Sequence, residues 1–146
     1  MMAFPPSLAV LAALAAQGLA PPADAEWRLA AADDDSATFV DHRSLLRAGN
    51  QVRFWSVSIY RKAGEKVNGI RTLAEADCRK FTYRPLAATM MIGGTGVLPG
   101  PGRTSKARKG SNGHQLIRAA CGLDPPGAVS ADPLQDMTAY WAQERR

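Results

Sequence analysis

Cys78, in the stretch EADCRKFTYR, and Cys121, in LIRAACG, are the two cysteines of a 146-residue chain. Two thiols can join in a disulfide, ligate a metal or act as nucleophiles. Metal ligation needs further Cys, His or carboxylate ligands at close spacing. The chain has two histidines, His42 and His114, and no spacing that builds a metal site. Asp41, His42 and Ser44 bring the residue types of a hydrolytic triad together. Neighbours at the end of a strand do not align nucleophile, base and orienting acid, however. Asp33, Asp34 and Asp35 read as a solvated turn rather than a calcium loop. GGTGVLPG lacks the third glycine of a dinucleotide loop and carries a proline in its place. We therefore expect no catalytic residue, no metal ligand, no cofactor and no enzymatic activity.

Binding chemistry has better candidates. Residues 93–112 form a long Gly/Pro-rich loop whose tip holds Arg103, Lys106, Arg108 and Lys109. Such a group attracts anionic glycan, anionic lipid or acidic protein. The net charge of +5 points the same way. Phe54 and Tyr60 are a second candidate. Both faces of their strand carry aromatics, so one face left open would display an aromatic patch of the kind that marks an interface. Trp55 reads as core.

The first 25 residues differ from the rest. LAVLAALAA is too short for a membrane-spanning helix, and Ala23-Asp24-Ala25 is an A-x-A cleavage pattern. We read residues 1–25 as a signal peptide cut after Ala25. Its removal takes away one acid, Asp24, and no base. No cysteine stands near the cut, so a lipid anchor is not expected. The mature protein is expected to be periplasmic or secreted, with no transmembrane segment and no nucleic acid as partner.

Export bears on the cysteines, because two cysteines in an exported protein usually pair. NGHQLIRAACG reads as a short helix capped by Ser111 or Asn112 and closed by Gly122. Leu116, Ile117, Ala120 and Cys121 share its apolar face. Residues 70–80 read as a strand with Ile70, Thr72, Ala74, Ala76 and Cys78 on one small, uncharged face. Arg71, Leu73, Glu75, Asp77 and Arg79 lie on the other, which reads as solvated. The two apolar faces match, and a Cys78–Cys121 bond would pin the helix to the sheet. The helix-forming residues of TLAEA argue against the strand.

The remaining elements follow from local pattern. Residues 26–33 and 37–41 are expected strands, HRSLLRAGN a turn or single helical turn, and residues 51–61 the clearest strand. Residues 79–92 form a further strand or strand pair, with Pro85 marking an edge or a bulge. After the linker LDPPGAVSA, Asp132 caps a final helix with Pro133 in its first turn. Leu134, Met137 and Trp141 share one face of it, and Arg145 and Arg146 suit its C-terminal dipole. Strands first and helices last is an α+β order. We expect three segments: a leader over 1–25, a sheet-plus-helix domain over 26–122, and a linker with an accessory helix over 123–146.

One ordered set of residues resembles a known family. Trp27, Phe39-Val40-Asp41, Ser44-Leu45, Gly49, Val52, Trp55, Asp77-Cys78, Thr82-Tyr83-Arg84 and Cys121 are similar to the run of the surface-adhesin protein E family of bacterial envelope proteins. The resemblance covers about residues 26–122. It implies a curved antiparallel sheet of about six strands, with a C-terminal helix on the concave face tethered by a disulfide. It also implies a non-catalytic role in adhesion to host matrix or plasma proteins, some members being linked to haem. A periplasmic small-ligand binder, and an envelope enzyme or enzyme inhibitor, are the alternatives. Two departures stand out: the missing lipidated cysteine, and the basic Gly/Pro loop where the family has an aromatic-bearing segment.

Overall fold

The computed structural model describes residues 23–62, 66–94, 96–98 and 100–144. The leader expected over 1–25, and Arg145 and Arg146, therefore lie almost wholly outside the described residues. The strands are β1 (Trp27–Ala32), β2 (Ser36–Asp41), β3 (Leu46–Ala48), β4 (Gln51–Tyr60), β5 (Asn68–Asp77), β6 (Thr82–Met90), β7 (Gly96–Leu98), β8 (Ser105–Lys106) and β9 (Val129–Ser130). Two helices lie towards the end of the chain, α1 (Asn112–Ala120) before β9 and α2 (Pro133–Gln143) after it.

All nine strands belong to one sheet, ordered β7-β6-β5-β4-β2-β1-β9, with β3 beside β4 and β8 beside β6. Every pairing is antiparallel. The α+β expectation holds. The strands outnumber the six expected because β3, β7, β8 and β9 are only two or three residues long. Such short pairings are set by distant partners and leave little periodicity to read. One of them corrects the expected turn at HRSLLRAGN: Leu46–Ala48 pairs with Gln51–Arg53 across a tight loop. Gly49 makes that loop with φ 60°, a value glycine adopts without strain.

Strand β5 settles the conflict over TLAEA. All ten of its residues pair with β4, and most pair again with β6. Two ladders outweigh a helix preference of a few tenths of a kcal/mol per residue. Pro85 lies beside the expected bulge, where Leu73 and Ala74 face Ala87 and Pro85 and so leave Leu86 as the extra residue. On the outer side of β6, Pro85 needs no partner for a missing N–H, and its carbonyl accepts from Gly102 N at 2.7 Å.

The sheet has two apolar faces, each covered by a helix. Under α1 lie Val40, Val52, Phe54, Ala74 and Ala76, closed by Leu116, Ile117, Ala120 and Cys121 from the helix side. Under α2 lie Trp27, Phe39, Trp55, Val57, Ile59 and Leu73, with Trp141 from the helix. Leu73 corrects the expected solvated face of β5, because α2 covers that side of the strand. Trp55 is core, as expected. The α1 cap is Ser111, whose hydroxyl accepts from His114 N, and Gly122 at φ 69° closes the helix. The α2 cap is Asp132, accepting from Gln135 N at 3.1 Å. The linker between the helices returns along β1, where Leu29 N donates to Ala128 O at 2.9 Å. Only glycine fits at 127, since a Cβ there would run into the Leu29 carbonyl.

Candidate binding surface

The binding candidates are best built from the β5–β6 turn. Asp77, at the end of β5, accepts from Arg79 N at 2.9 Å and Lys80 N at 2.8 Å through one carboxylate oxygen. Gln51 Nε2 donates to the other oxygen at 3.0 Å. The Lys80 hydrogen bond is the main cause that holds the Asp77 carboxyl below its ordinary value of 3.8. Phe81 then takes φ 55°, the one non-glycine residue in the left-handed region among those described. Its ring stacks on His114 of α1 with centroids 4.6 Å apart, and this contact holds the strained residue in place. Beside the turn, Cys78 is bonded to Cys121, with Cα atoms 5.7 Å apart. The expected disulfide is thus present, and it joins the turn to the far end of α1.

The basic loop is fastened to this same turn. Phe81 O accepts from Ala107 N at 2.9 Å. Residues 105 and 106 pair with Tyr83 and Thr82 as β8. Ser111 Oγ donates to Arg108 O at 2.6 Å, tying the loop to the α1 cap. The four expected bases, Arg103, Lys106, Arg108 and Lys109, are all exposed. Arg79 and Lys80, which sequence reasoning does not include, are exposed on the turn just before Thr82 and Tyr83, the β6 residues that β8 pairs with. Their signal is present in the basic dipeptide after Cys78, but linking it to the loop requires a pairing between segments more than twenty residues apart.

Several arginines outside this surface are ion-paired. Arg28 pairs with Glu26 at 3.1 Å, Arg61 with Glu144 at 2.9 Å, and Arg118 with Asp124 at 2.8 Å. Glu75 lies between Arg53 at 3.4 Å and Arg84 at 3.6 Å. Among the described residues, no acid lies within ion-pair distance of Arg79, Lys80, Arg103, Lys106, Arg108 or Lys109. A polar cleft of about 320 Å³ opens beside them, lined by Gln51, Glu75, Asp77, Lys80, Thr82, Arg84 and Thr104. Lys80 is its unpaired cation. The arrangement presents positive charge to solvent on a hydrogen-bonded frame, with hydroxyls at its edge.

The aromatic candidates fare differently. Phe54 is 0 % exposed, so the expected open patch with Tyr60 does not form. Helix α1 covers it, and its ring lies 6.4 Å from that of Tyr83. Tyr60 is half-buried and its hydroxyl donates to Met90 Sδ at 3.6 Å. Burial pushes the Tyr83 phenol up to about 12, against a Ser56 hydrogen bond that acts the other way.

The remaining chemistry-bearing residues are used structurally. Asp33 accepts from Asp35 N, Ser36 N and Asn112 Nδ2, which ties the β1–β2 turn to the start of α1. These bonds, the Asp35 backbone first, hold its carboxyl below 3.8. Asp41 accepts from the backbone of Glu26 and Arg43. No hydrogen bond joins the side chains of Asp41, His42 and Ser44 among the described residues. Desolvation, then the Arg28 charge, lowers the His42 imidazole below 6.5, so it is neutral at neutral pH. His42 also lines a second cavity of about 360 Å³, with Leu45, Arg47, Val52, Cys121 and Pro126. Among the described residues, no group of three His, Cys, Asp or Glu side chains is placed to hold a metal. No described helix is long and apolar enough to cross a membrane.

No curated protein and no solved structure matches the chain significantly. A family model does: Surface-adhesin protein E, over residues 27–122, from the first buried tryptophan to the glycine after Cys121. The match spans more than half of the chain and includes both ends of the disulfide and the whole cationic surface. The chain belongs to the surface-adhesin protein E family.

Proposed function

We propose that this protein is an exported, non-catalytic binding domain of the cell envelope that engages acidic glycan chains through the surface at Arg79, Lys80, Arg103, Lys106, Arg108 and Lys109. Export follows the A-x-A pattern at Ala23–Ala25 and leaves the mature protein periplasmic or secreted. Family membership supports an adhesin's role. The observation that carries the proposed chemistry is the absence, among the described residues, of any acid paired with these six bases, while other arginines of the fold have partners. A cluster of bases without ion-pair contacts on a fixed frame, offset only in part by the Asp77 carboxylate beside Arg79 and Lys80, raises the local concentration of polyanions and speeds their association. The β8 pairing supports a fixed spacing of charges, which suits a repeating polyanion such as a sulfated glycan.

Retention on heparin resin tests this reading. The mature protein should bind at low salt and elute as salt rises, since screening shortens to about 8 Å at physiological ionic strength. Replacing Arg103, Lys106, Arg108 and Lys109 by Gln should move elution to much lower salt. Equal elution would remove the loop from the interface. Binding to anionic vesicles but not to heparin would assign the surface to lipid instead.

A further inference from the structure

Asp41 is fully buried, and one of its carboxylate oxygens has no use in the fold as described. Its Oδ1 accepts from Glu26 N at 2.8 Å and from Arg43 N at 3.0 Å. Its Oδ2 is buried and has no hydrogen-bond partner among the described residues. A buried anion with one unsatisfied oxygen is a costly arrangement unless a donor or a positive charge completes it. The nearby arginines do not do so. Arg28 is turned to Glu26 Oε1 and Gly127 O, and the Arg43 guanidinium is exposed beside Asp24.

The donor already closest to Asp41 is the nitrogen of Glu26, the first residue after the expected cleavage point. We propose that cleavage after Ala25 converts this nitrogen into an ammonium that locks onto the buried Asp41 carboxylate, so that processing itself stabilises the fold. Hydrolysis adds water across the Ala25–Glu26 peptide bond. Ala25 leaves as a carboxylate and Glu26 keeps the nitrogen as –NH₃⁺, which balances atoms and charge. An amide nitrogen has one hydrogen, and it is already spent on Oδ1. An ammonium has three, so the adjacent Oδ2 gains a donor and the buried anion gains its counter-charge.

The position of the nitrogen survives the cut. Glu26 O accepts from His42 N at 2.9 Å, so Glu26 is held on the side away from the leader. Trp27, its neighbour, is 7 % exposed in the α2-side core and pairs with Asp41 in the β1–β2 ladder. Cleavage also removes Asp24, the exposed partner of Arg43. Before processing, the fold lacks this ion pair and is the less stable for it, which suits a chain that must cross a membrane unfolded. The inference rests on export and on cleavage after Ala25.

The test begins with the intact mass of the exported protein, which should correspond to a chain beginning at Glu26. A chain beginning at any other residue overturns the proposal. At neutral pH, the α-amine of that chain should react with an acylating reagent at least about tenfold more slowly than the same amine in a short peptide of identical N-terminal sequence. Asp41→Asn should restore the faster rate. Because Asp41→Asn disturbs a buried site, a second form beginning at Ala25 is compared as well. It should melt several degrees lower than the Glu26 form, and its amine should react at the peptide rate. Equal melting and equal reactivity of the Glu26 and Ala25 forms would overturn the proposal. Both forms should keep the same heparin retention, so failure here leaves the binding surface untouched.

Discussion

On one face of the sheet, α1 covers Val40, Val52, Phe54 and Ala76 and is bonded to the β5–β6 turn through Cys121. On the other, α2 covers Trp27, Trp55, Val57 and Ile59 with no covalent link. It is held by one fully buried tryptophan and by Arg61, whose guanidinium lies 5.1 Å over the Trp141 ring and pairs with Glu144. The family match ends at Gly122, just beyond α1. Yet the residues under α2 lie inside the match. The matched region therefore contains an apolar face that it does not itself cover, and the segment after it supplies the lid. The α1 face carries more than stability. Its disulfide and its Phe81–His114 stack also hold the turn and loop that bear the unpaired bases.

The sharpest way to break this comparison is to remove one lid. Truncation after Gly122 takes away β9 and α2 and should have the largest effect. We propose that the remaining domain still unfolds cooperatively, at much lower temperature, because the stapled α1 face is intact. A calorimetric trace without a cooperative transition would make α2 part of the minimal core. Trp141→Ala isolates the anchor of that lid. Truncating a buried tryptophan costs about 3–5 kcal/mol, readable in urea titration. Cys121→Ser probes the other face. Opening a loop with sequence separation 43 should cost about 2–5 kcal/mol. It should also lower heparin affinity, because the turn loses its anchor, whereas Trp141→Ala should leave heparin affinity unchanged in protein that remains folded. Equal effects of the two variants on binding would remove the distinction between the faces.

pH acts on the two ends of the α1 side. Asp33 and Asp77 have carboxyls held below 3.8 in the fold, so the stability they add is complete above 3.8 and is lost as pH falls through their lowered values. At the alkaline end, Tyr83 keeps its proton to about 12 in the fold against 10 when unfolded. Its contribution is present below pH 10 and declines as pH rises from 10 towards 12. Melting temperature should therefore fall at both extremes. Tyr83→Phe should flatten the alkaline decline and leave the acid limb as it was.

Several of these features are legible in the amino-acid sequence alone. The Cys78–Cys121 bond follows from matching apolar faces in a chain that reads as exported. The Asp132-Pro133 start and the Leu134/Met137/Trp141 stripe mark α2 and its buried face. What escapes has a common physical cause, which is long-range pairing. Leu73 sits among Arg71, Glu75 and Asp77, and its burial depends on a helix more than fifty residues later. Phe54 reads as open because the extent of α1 over the sheet is not a local property. Arg79 and Lys80 join the basic surface only through β8, a two-residue pairing with no periodic signal. Asp41 does carry a local hint, an acid directly after the apolar Phe39-Val40, but its burial follows from the β1–β2 ladder.

The central claim is that binding depends on where the unpaired bases stand, and not on net charge. Lys80→Gln with Lys106→Gln removes two charges from the surface. Lys62→Gln with Lys66→Gln removes two from the exposed flanks of the β4–β5 loop. The two double variants have the same net charge, and exposed single charges contribute at most about 1 kcal/mol to folding. The direct measurement is their elution from heparin resin over one salt gradient. The account predicts clearly earlier elution of the Lys80/Lys106 variant, with the Lys62/Lys66 variant close to wild type. Coincident elution of the two variants would contradict it.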